Sequence, residues 1–305
     1  MRNTFAETFY QAAQKDPRLC IVVADISPAG AMDKMRKEFP ERFVNTGVAE
    51  QIMIGMCAGM ALRGLKPFAY TIATFALYRP FEFIRDDLCY QNLPVTVVGI
   101  GGGVTYSTLG ATHHAQEDVA IACALPNLRV IAPCDPAETR AATLWCIAQQ
   151  EGPVYLRLGK AGEPDLTSKA PDSFQFGKLR YLKRGSDLCI VGYGPTLKLG
   201  VQLAEQEEQR GRSTSVVSAH TLKPLDEAGI ASLLQGHETV IVLEEMAPRG
   251  GLGDAVKRIA WEQHARCRIE CFSLRDEFVH CYGKHEELLG EHGLSLARIS
   301  AALGR

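Results

Sequence analysis

Leu19-Cys20-Ile21-Val22-Val23-Ala24-Asp25 is a short, continuous apolar run that ends in an acid. Such a run is typical of a strand that is buried on both faces, as in a parallel sheet. Comparable apolar runs, separated by helix-like stretches, return at 68–72, 93–100, 128–132 and 154–157. This alternation predicts an α/β domain with a mainly parallel sheet. Because ligands gather beyond the carboxyl ends of such strands, Asp25 and the loop 26–30 are predicted to border a site.

The same pattern returns in the second half of the chain. Residues 161–177 are rich in Lys, Gly, Pro, Asp and Ser and have no periodicity, which predicts an interdomain linker. Beyond them, apolar strands are predicted at 188–192, 213–217, 239–244 and 268–272. We therefore predict two α/β domains, 1–160 and 178–305, joined by the linker.

The composition is that of an ordinary globular protein. The chain has 305 residues, of which 46% are hydrophobic and 22% charged, with a formal net charge of −2. This is enough for two domains with proper cores, and the absence of a basic run argues against nucleic acid binding. No run approaches the roughly 18 apolar residues of a membrane span, and the N-terminus lacks the apolar segment of a signal peptide.

The ten cysteines include no Cys-x-x-Cys pair and fall mostly inside apolar segments. Buried, reduced thiols are therefore predicted ahead of metal ligands or disulfides, which remain alternatives. Reduced thiols predict a cytoplasmic location.

Glu50 stands just ahead of the apolar run 52–62, which no charge interrupts before Arg63. The run predicts a helix that is buried on most sides. A carboxylate at the start of such a helix lies near the positive end of the helix dipole, which favours its ionised form, whereas partial burial opposes it. From its residue type alone, Glu50 is either a structural N-terminal residue or a working acid/base group.

Aromatic and histidine residues supply further candidates. Phe75, Tyr78 and Phe81 are spaced by three residues, as in a helix core, although they could also line the pocket of a flat heterocycle. His113 and His114 lie in a loop after a buried strand, where histidines are better site candidates than on an apolar face. A metal pair is the weaker alternative, because no third ligand is evident.

Glycines and acids at strand ends leave two questions open. Three successive glycines, 101–103, either let the backbone approach a ligand closely or form a mobile loop. Glu244 and Glu245 end a strand of the second half, where acids are either functional or simply exposed.

The most specific motif of the chain is Gly47-Val48-Ala49-Glu50-Gln51, which follows Phe39-Pro40-Glu41-Arg42-Phe43-Val44-Asn45-Thr46. Further stretches match the same family pattern: Thr74-Phe75, 91–95, Thr112-His113, 125–127, 132–135, Glu244-Glu245 and 250–253. Together these stretches resemble the transketolase family of thiamine diphosphate enzymes, which includes the 1-deoxy-xylulose-5-phosphate synthases. The resemblance runs over nearly the whole chain and implies a pyrimidine-binding-type domain followed by a smaller transketolase C-terminal α/β domain.

The resemblance implies a role for each matching position in the cofactor pocket. Glu50 matches the glutamate that hydrogen-bonds N1′ of the aminopyrimidine, stabilising the imino tautomer whose nitrogen removes the thiazolium C2 proton. Phe75, Tyr78 and Phe81 match the aromatic positions that pack against that ring. Asp25 matches an acid near the cofactor at the subunit interface.

Substrate contacts are implied in the same way. His113 matches the histidine that reaches the sugar, and the second histidine, His114, follows it directly. Arg2 matches a contact to the substrate phosphate. Lys160 aligns with an arginine that commonly holds the sugar phosphate, and Arg157 is three residues away. Lysine binds phosphate as a point charge, without the bidentate geometry of arginine.

Two departures from the family pattern refine the expected function. Full-length members carry Gly-Asp-Gly, which helps to hold the diphosphate and Mg²⁺ (or Ca²⁺), and this sequence has no such motif. It therefore resembles the C-terminal half of a split transketolase, active only with a separate N-terminal-half subunit in an α2β2 complex. Leu109 replaces the acid of the common Asp-Gly-Pro-Thr-His pattern, which favours a substrate pair other than pentose phosphates.

The implied reaction transfers a two-carbon ketol unit from a ketose or ketose phosphate to an aldehyde acceptor, with Glu50 activating the cofactor. The alternatives are a condensation like that of 1-deoxy-xylulose-5-phosphate synthase, a β-type subunit of a 2-oxo acid dehydrogenase, and a non-catalytic homologue.

Overall fold

A computed structural model describes residues 1–27 and 30–303 of the chain. The predicted loop 26–30 includes Pro28 and Ala29, which lie outside the described residues. The described residues form two mainly parallel sheets with helices packed on their faces, one sheet in each half of the chain. The prediction of two α/β domains is confirmed.

The first sheet has seven strands, and six of them come from the first half of the chain. These are β1 Leu19–Val23, β2 Phe43–Asn45, β3 Lys66–Ile72, β4 Thr96–Ile100, β5 Arg129–Ile131 and β6 Val154–Leu158. They pair in parallel in the order β5-β6-β4-β3-β1-β2. The seventh strand, β10 Thr221–Lys223, comes from the second half and pairs antiparallel with β5.

The helices of the first half lie on both faces of this sheet. They are α1 Arg2–Ala13, α2 Ala31–Glu38, α3 Glu50–Leu62, α4 Ala73–Leu77, α5 Phe81–Phe83 with a π-helical continuation over Ile84–Tyr90, α6 Asp118–Ala124 and α7 Pro136–Ala148. Alternate strand residues point to opposite faces. Ile21 and Val23 join a core with α1, α2 and α7, whereas Val22 joins a core with α3 and α6. Because both faces are covered, most residues of the central strands are apolar and buried.

The second sheet has the strand order β12-β11-β8-β9-β7. Its strands are β7 Arg180–Lys183, β8 Leu188–Gly192, β9 Thr214–Ser218, β11 Thr239–Leu243 and β12 Arg268–Phe272. Its helices are α8 Leu197–Gln209, α9 Glu227–Gly236, α10 Leu252–Glu262, α11 His285–Glu291 and α12 Leu296–Leu303. Only β7 runs antiparallel to its neighbour in this sheet of the described chain.

The two halves pack tightly against each other. One hydrophobic cluster contains residues of both, among them Val119 of α6 and Leu252 of α10. The segment 159–179 between the sheets contains neither helix nor strand. Within it, the ring of Phe176 stacks on Trp145 of α7, with ring centroids 3.7 Å apart. The exact boundaries at 160 and 178 stay a prediction.

Helix α3 departs from its predicted burial. It begins at Glu50 itself, and Met53, Ile54 and Cys57 are buried as expected. Ile52 and Leu62, however, are 59% and 64% exposed. The prediction that this helix is buried on most sides is therefore wrong for one face, because residues 1–27 and 30–303 supply no side chains that cover it.

Two further observations concern predicted properties of the whole chain. None of the helices in the described ranges is both long and apolar enough to cross a membrane. The ten cysteines are free thiols, most of them buried, with Cys281 exposed. Burial raises the pKa of Cys20 and Cys89 to about 11.

Candidate active site

The predicted site residues follow the carboxyl ends of neighbouring strands in the first sheet. Asp25 comes after β1, Glu50 after β2, Phe75 after β3, His113 after β4 and Lys160 after β6. Because parallel strands end at the same edge, the topology brings these distant sequence positions to one side of the domain.

Glu50 is the first residue of α3 and is almost completely buried. The turn before it contains Gly47 at φ 68°, a left-handed conformation that glycine adopts without strain. The Glu50 Oε1 atom accepts a hydrogen bond from Nη1 of Arg79 at 2.7 Å. Within residues 1–27 and 30–303, no donor contacts the second oxygen, Oε2. The carboxylate therefore keeps one oxygen for a further partner.

Arg79 is a site residue that the sequence reasoning missed. It lies in the turn between α4 and α5, and its guanidinium carbon is 3.8 Å from the centroid of the Phe75 ring. This cation–π contact and the ion pair with Glu50 join the two predicted cofactor residues through one side chain. The available signal was a lone basic residue inside an otherwise apolar and aromatic stretch.

His113 completes this cluster. Its ring meets Phe75 edge-on, with centroids 5.0 Å apart, and lies 6.0 Å from Tyr106. Thr112 places its hydroxyl 2.9 Å from Nδ1 of the imidazole. Burial and the nearby charge of Arg79 lower the pKa of His113, which favours the neutral form of the ring. A neutral imidazole beside an aromatic wall can either accept or donate a proton.

Tyr106 links His113 to two predicted phosphate contacts and was also missed. The Nζ atom of Lys160 lies 5.0 Å from the centroid of the Tyr106 ring. Burial raises the pKa of Tyr106, and the positive charge of Arg2 opposes this rise. Lys160 therefore borders this tyrosine, and the charges of Lys160 and Arg2 both act on it.

Tyr78 and Phe81 have contacts outside the cluster of Glu50, Phe75 and His113. Tyr78 donates its hydroxyl to Oε2 of Glu117 at 2.9 Å, and burial strongly raises its pKa. Both aromatic rings pack against the hydrophobic cluster that contains residues of both domains. Their contact with an aminopyrimidine stays a prediction, and their surroundings favour the alternative of core packing.

Asp25 and His114 occupy opposite environments. Asp25 is exposed at the end of β1, with φ 60° and its N–H donated to Oδ1 of Asn45. His114 is buried, and neither ring nitrogen has a hydrogen-bond partner in the part of the chain described. Burial lowers its pKa, so it is a neutral, packed ring. Its predicted contact with substrate gains no support from this position.

Arg157 is buried in an ion pair. Its Nε donates to Oδ2 of Asp118 at 2.8 Å, and its Nη2 donates to the carbonyl of Glu245 at 2.9 Å. Tyr155 donates its hydroxyl to the same Asp118 oxygen. This arrangement favours a structural role over the predicted substrate contact, because the guanidinium already has internal partners.

The three glycines make room for side chains of this chain itself. A Cβ at Gly102 would lie 2.3 Å from the guanidinium of Arg157, and one at Gly103 would lie 2.3 Å from Oε1 of Glu245. All three glycines are buried. Their closely approached partners are therefore internal, and this burial argues against the alternative of a mobile loop.

Glu244 and Glu245 are both buried, so the alternative of exposed strand-end acids is wrong. Glu244 accepts hydrogen bonds from the N–H groups of Leu252 and Gly253 at the start of α10, and burial raises its pKa to about 7. Glu245 accepts from the N–H of Val104 at 2.8 Å, which joins the second domain to the loop that carries the predicted histidines.

Comparisons with known proteins agree with the fold. Residues 1–162 match the family model "Transketolase, pyrimidine binding domain", and residues 177–299 match "Transketolase, C-terminal domain". An apulose-4-phosphate transketolase subunit from Phocaeicola vulgatus is 32% identical, covering 96% of this chain and 93% of its own. The putative transketolase C-terminal section of Methanocaldococcus jannaschii is 35% identical, covering 96% and 92%.

A solved structure described as "Split gene transketolase, inactive beta4 tetramer" superposes with a TM-score of 0.87. It is 33% identical, and the match covers 99% of this chain and 96% of that one. Both domain models, the two relatives and this fold agree with the family predicted from the sequence motifs. This chain belongs to the transketolase family.

Proposed function

We propose that this chain is the C-terminal-half subunit of a two-protein, thiamine-diphosphate-dependent transketolase. It transfers a two-carbon ketol unit from a ketose donor to an aldehyde acceptor when it is paired with an N-terminal-half subunit. The observation that carries this proposal is the cluster of Glu50, Phe75 and His113 at the carboxyl edge of the first sheet.

The residues present fit an aminopyrimidine ring. Glu50 offers a buried carboxylate with one oxygen that no described donor contacts, which suits a ring nitrogen. Phe75 offers a half-buried aromatic surface beside it. When bound, the thiazolium of the cofactor supplies an electron sink for carbon–carbon cleavage. Glu50 holds a proton at N1′ of the ring, and its burial excludes water from that proton.

His113 is the residue best placed to act on the substrate. Its neutral imidazole can hold or move a proton at a hydroxyl or carbonyl oxygen of the sugar. Lys160 and Arg2 give the adjoining rim the positive charge that a phosphorylated sugar needs. Leu109, half exposed in the same loop, presents an apolar surface where the family pattern has an acid. We therefore propose an acceptor or donor that lacks the hydroxyl recognised by that acid.

A separate partner chain supplies the remainder of the site in this proposal. One relative is named as a transketolase subunit and another as a transketolase C-terminal section, and this chain covers both almost completely, which supports a two-chain enzyme. We assign the diphosphate and Mg²⁺ or Ca²⁺ to the partner, because Gly-Asp-Gly is missing from this sequence. The chain is then inactive alone and works in an α2β2 complex.

The test is reconstitution with an N-terminal-half transketolase subunit from the same genome. The complex, with thiamine diphosphate and Mg²⁺, is screened against ketose donors and aldehyde acceptors, with pyruvate and lipoyl-linked turnover as parallel assays. Glu50→Gln should lower turnover by about 10²- to 10⁴-fold, the usual contribution of an acid/base group. Glu82→Gln, an exposed acid on the neighbouring helix, is the matched control.

Each outcome has a definite meaning. Ketol transfer that depends on Glu50 supports the proposal. If ordinary pentose phosphates are turned over fastest, the proposal of a different substrate pair is wrong. Turnover of pyruvate alone favours the synthase-like alternative, and lipoyl-linked turnover favours the dehydrogenase alternative. Unchanged turnover in Glu50→Gln overturns the role of that carboxylate, whereas inactivity in every assay leaves the non-catalytic homologue.

A further inference from the structure

Arg79 contacts the two residues that the proposed function assigns to the aminopyrimidine ring. Its Nη1 donates to Oε1 of Glu50 at 2.7 Å, and its guanidinium lies 3.8 Å from the centroid of the Phe75 ring. A guanidinium is a flat group with N–H donors at its edge and a delocalised face that stacks on aromatic rings. An aminopyrimidine bound to the same two residues has the same attributes: a flat face against phenylalanine and a ring nitrogen at a carboxylate.

The two groups compete for one face of Phe75, not for the same oxygen of Glu50. Since one guanidinium reaches both Glu50 and Phe75, it covers the surface of the phenylalanine that lies nearest the carboxylate. A ring that stacks on that surface would occupy the space of the guanidinium, although Oε2 of Glu50, which no described donor contacts, is open to it. The two groups therefore exclude each other.

Arg79 has room to leave. It lies in a turn between two short helices, and its side chain is 42% exposed, whereas that of Glu50 is 3% exposed. Rotation about the long side chain returns the guanidinium to water without moving the backbone. This movement breaks the charged hydrogen bond between Arg79 and Glu50.

We propose that Arg79 is an internal competitor of the cofactor, which occupies the aminopyrimidine position and swings out when the ring binds. This inference rests on the proposed function of Glu50 and Phe75. The apparent affinity for thiamine diphosphate is lowered by the fraction of molecules in which Arg79 occupies the position. Removing the guanidinium removes that competition.

The experiment uses isothermal calorimetry to measure cofactor binding rather than turnover. Thiamine diphosphate is titrated, with Mg²⁺, into the complex that this chain forms with the N-terminal-half subunit. Arg79→Met keeps an apolar stem and loses the charge and the planar group, and it should lower the dissociation constant about threefold to tenfold. Arg79→Lys keeps an ammonium that can pair with Glu50 but cannot stack as a plane. Its dissociation constant should lie between those of the unmodified complex and of Arg79→Met.

Arg85→Met is the matched control. Arg85 is an exposed arginine six residues further along, paired with Asp86, and its removal should leave the dissociation constant unchanged. A tighter complex for Arg79→Met but not for Arg85→Met supports the inference. Unchanged or weaker binding in Arg79→Met overturns it, since Arg79 would then be neutral or would help to hold the cofactor. If no version of the complex binds thiamine diphosphate, the proposed function fails, and the inference fails with it.

Discussion

Replacing Asp118 by asparagine tests the most buried ion pair of the described chain. The side chains of Asp118 and Arg157 are 0% and 4% exposed, and their Oδ2 and Nε atoms are 2.8 Å apart. Tyr155 donates its hydroxyl to the same carboxylate oxygen at 2.8 Å. Asparagine keeps the size of the side chain and removes the charge, so the buried guanidinium loses its counter-ion without a cavity being made.

The magnitude follows from the burial of the pair. Breaking a buried pair by removing one partner typically costs about 3–5 kcal/mol, because the remaining charge is left uncompensated. Arg157 keeps its bond to the carbonyl of Glu245 at 2.9 Å, which favours the lower end of this range. We therefore expect the free energy of unfolding to fall by about 3 kcal/mol, a large part of a typical total of about 5–15 kcal/mol.

Urea unfolding at pH 7, followed by circular dichroism, measures this loss from the midpoint and slope of the transition. Glu262→Gln is the control, because Glu262 pairs with Arg258 at 3.0 Å with both side chains 49% exposed. Such exposed pairs contribute about 1 kcal/mol or less. A loss in Asp118→Asn no larger than that of the control would refute the reasoning, since burial would then add nothing to the pair.

Three further predictions concern pH and packing. Burial and the charge of Arg180 lower the pKa of His220 to about 3, so its neutral form stabilises the fold above the unfolded pKa of about 6.5. This stability is lost as pH falls from 6.5 toward 3. At about 1.4 kcal/mol per pH unit, the free energy of unfolding of the unmodified protein should fall by about 2 kcal/mol between pH 7 and 5. Unfolding curves of His220→Gln should lack this fall. Phe176→Ala removes the stack on Trp145 and should cost about 1–2 kcal/mol while speeding proteolysis of the linker; unchanged cleavage would contradict this. Arg79→Met should raise the pKa of His113 in an NMR titration, and an unmoved pKa would show that burial alone sets it.

Most of the fold was predictable because both sheets are covered on both faces. A strand covered in this way is almost continuously apolar, as in β1, β4 and β8, and such runs are visible without knowledge of their partners. The short strands β2, β7 and β10 were not predicted. β10, Thr221–Lys223, has three residues and one charge, and it is a strand because β5 lies beside it.

The error on α3 has a related origin. The α3 sequence, with Ile52 and Leu62 among small apolar residues, is hydrophobic on all faces. Hydrophobicity alone does not identify the molecule that covers each face. The described residues cover one face and leave the other exposed. Hydrophobic periodicity predicts burial within the chain only where a covering element belongs to the same chain.

The site was predictable to the extent that its residues belong to motifs. Glu50, Phe75 and His113 come from three separate motifs, and the structure brings them together through the strand order. Arg79 and Tyr106 belong to none of these motifs. Their contacts arise from side chains that meet across loops, and an arginine in a turn is most often a solvated surface residue, so no rule of spacing identifies it.

The position of Glu245 gives a physical reason for joining both domains in one chain. Its carboxylate, from the second domain, accepts the N–H of Val104 at 2.8 Å at the start of the loop that leads to His113. Its carbonyl accepts from Arg157 of the first domain, and its Oε1 is 2.8 Å from Nε2 of His285. Because Val104 and Glu245 are both buried, this contact cannot slide without leaving polar groups unpaired. The second domain thus fixes one end of the histidine loop, and a cofactor pocket built on the first sheet alone would lack that constraint.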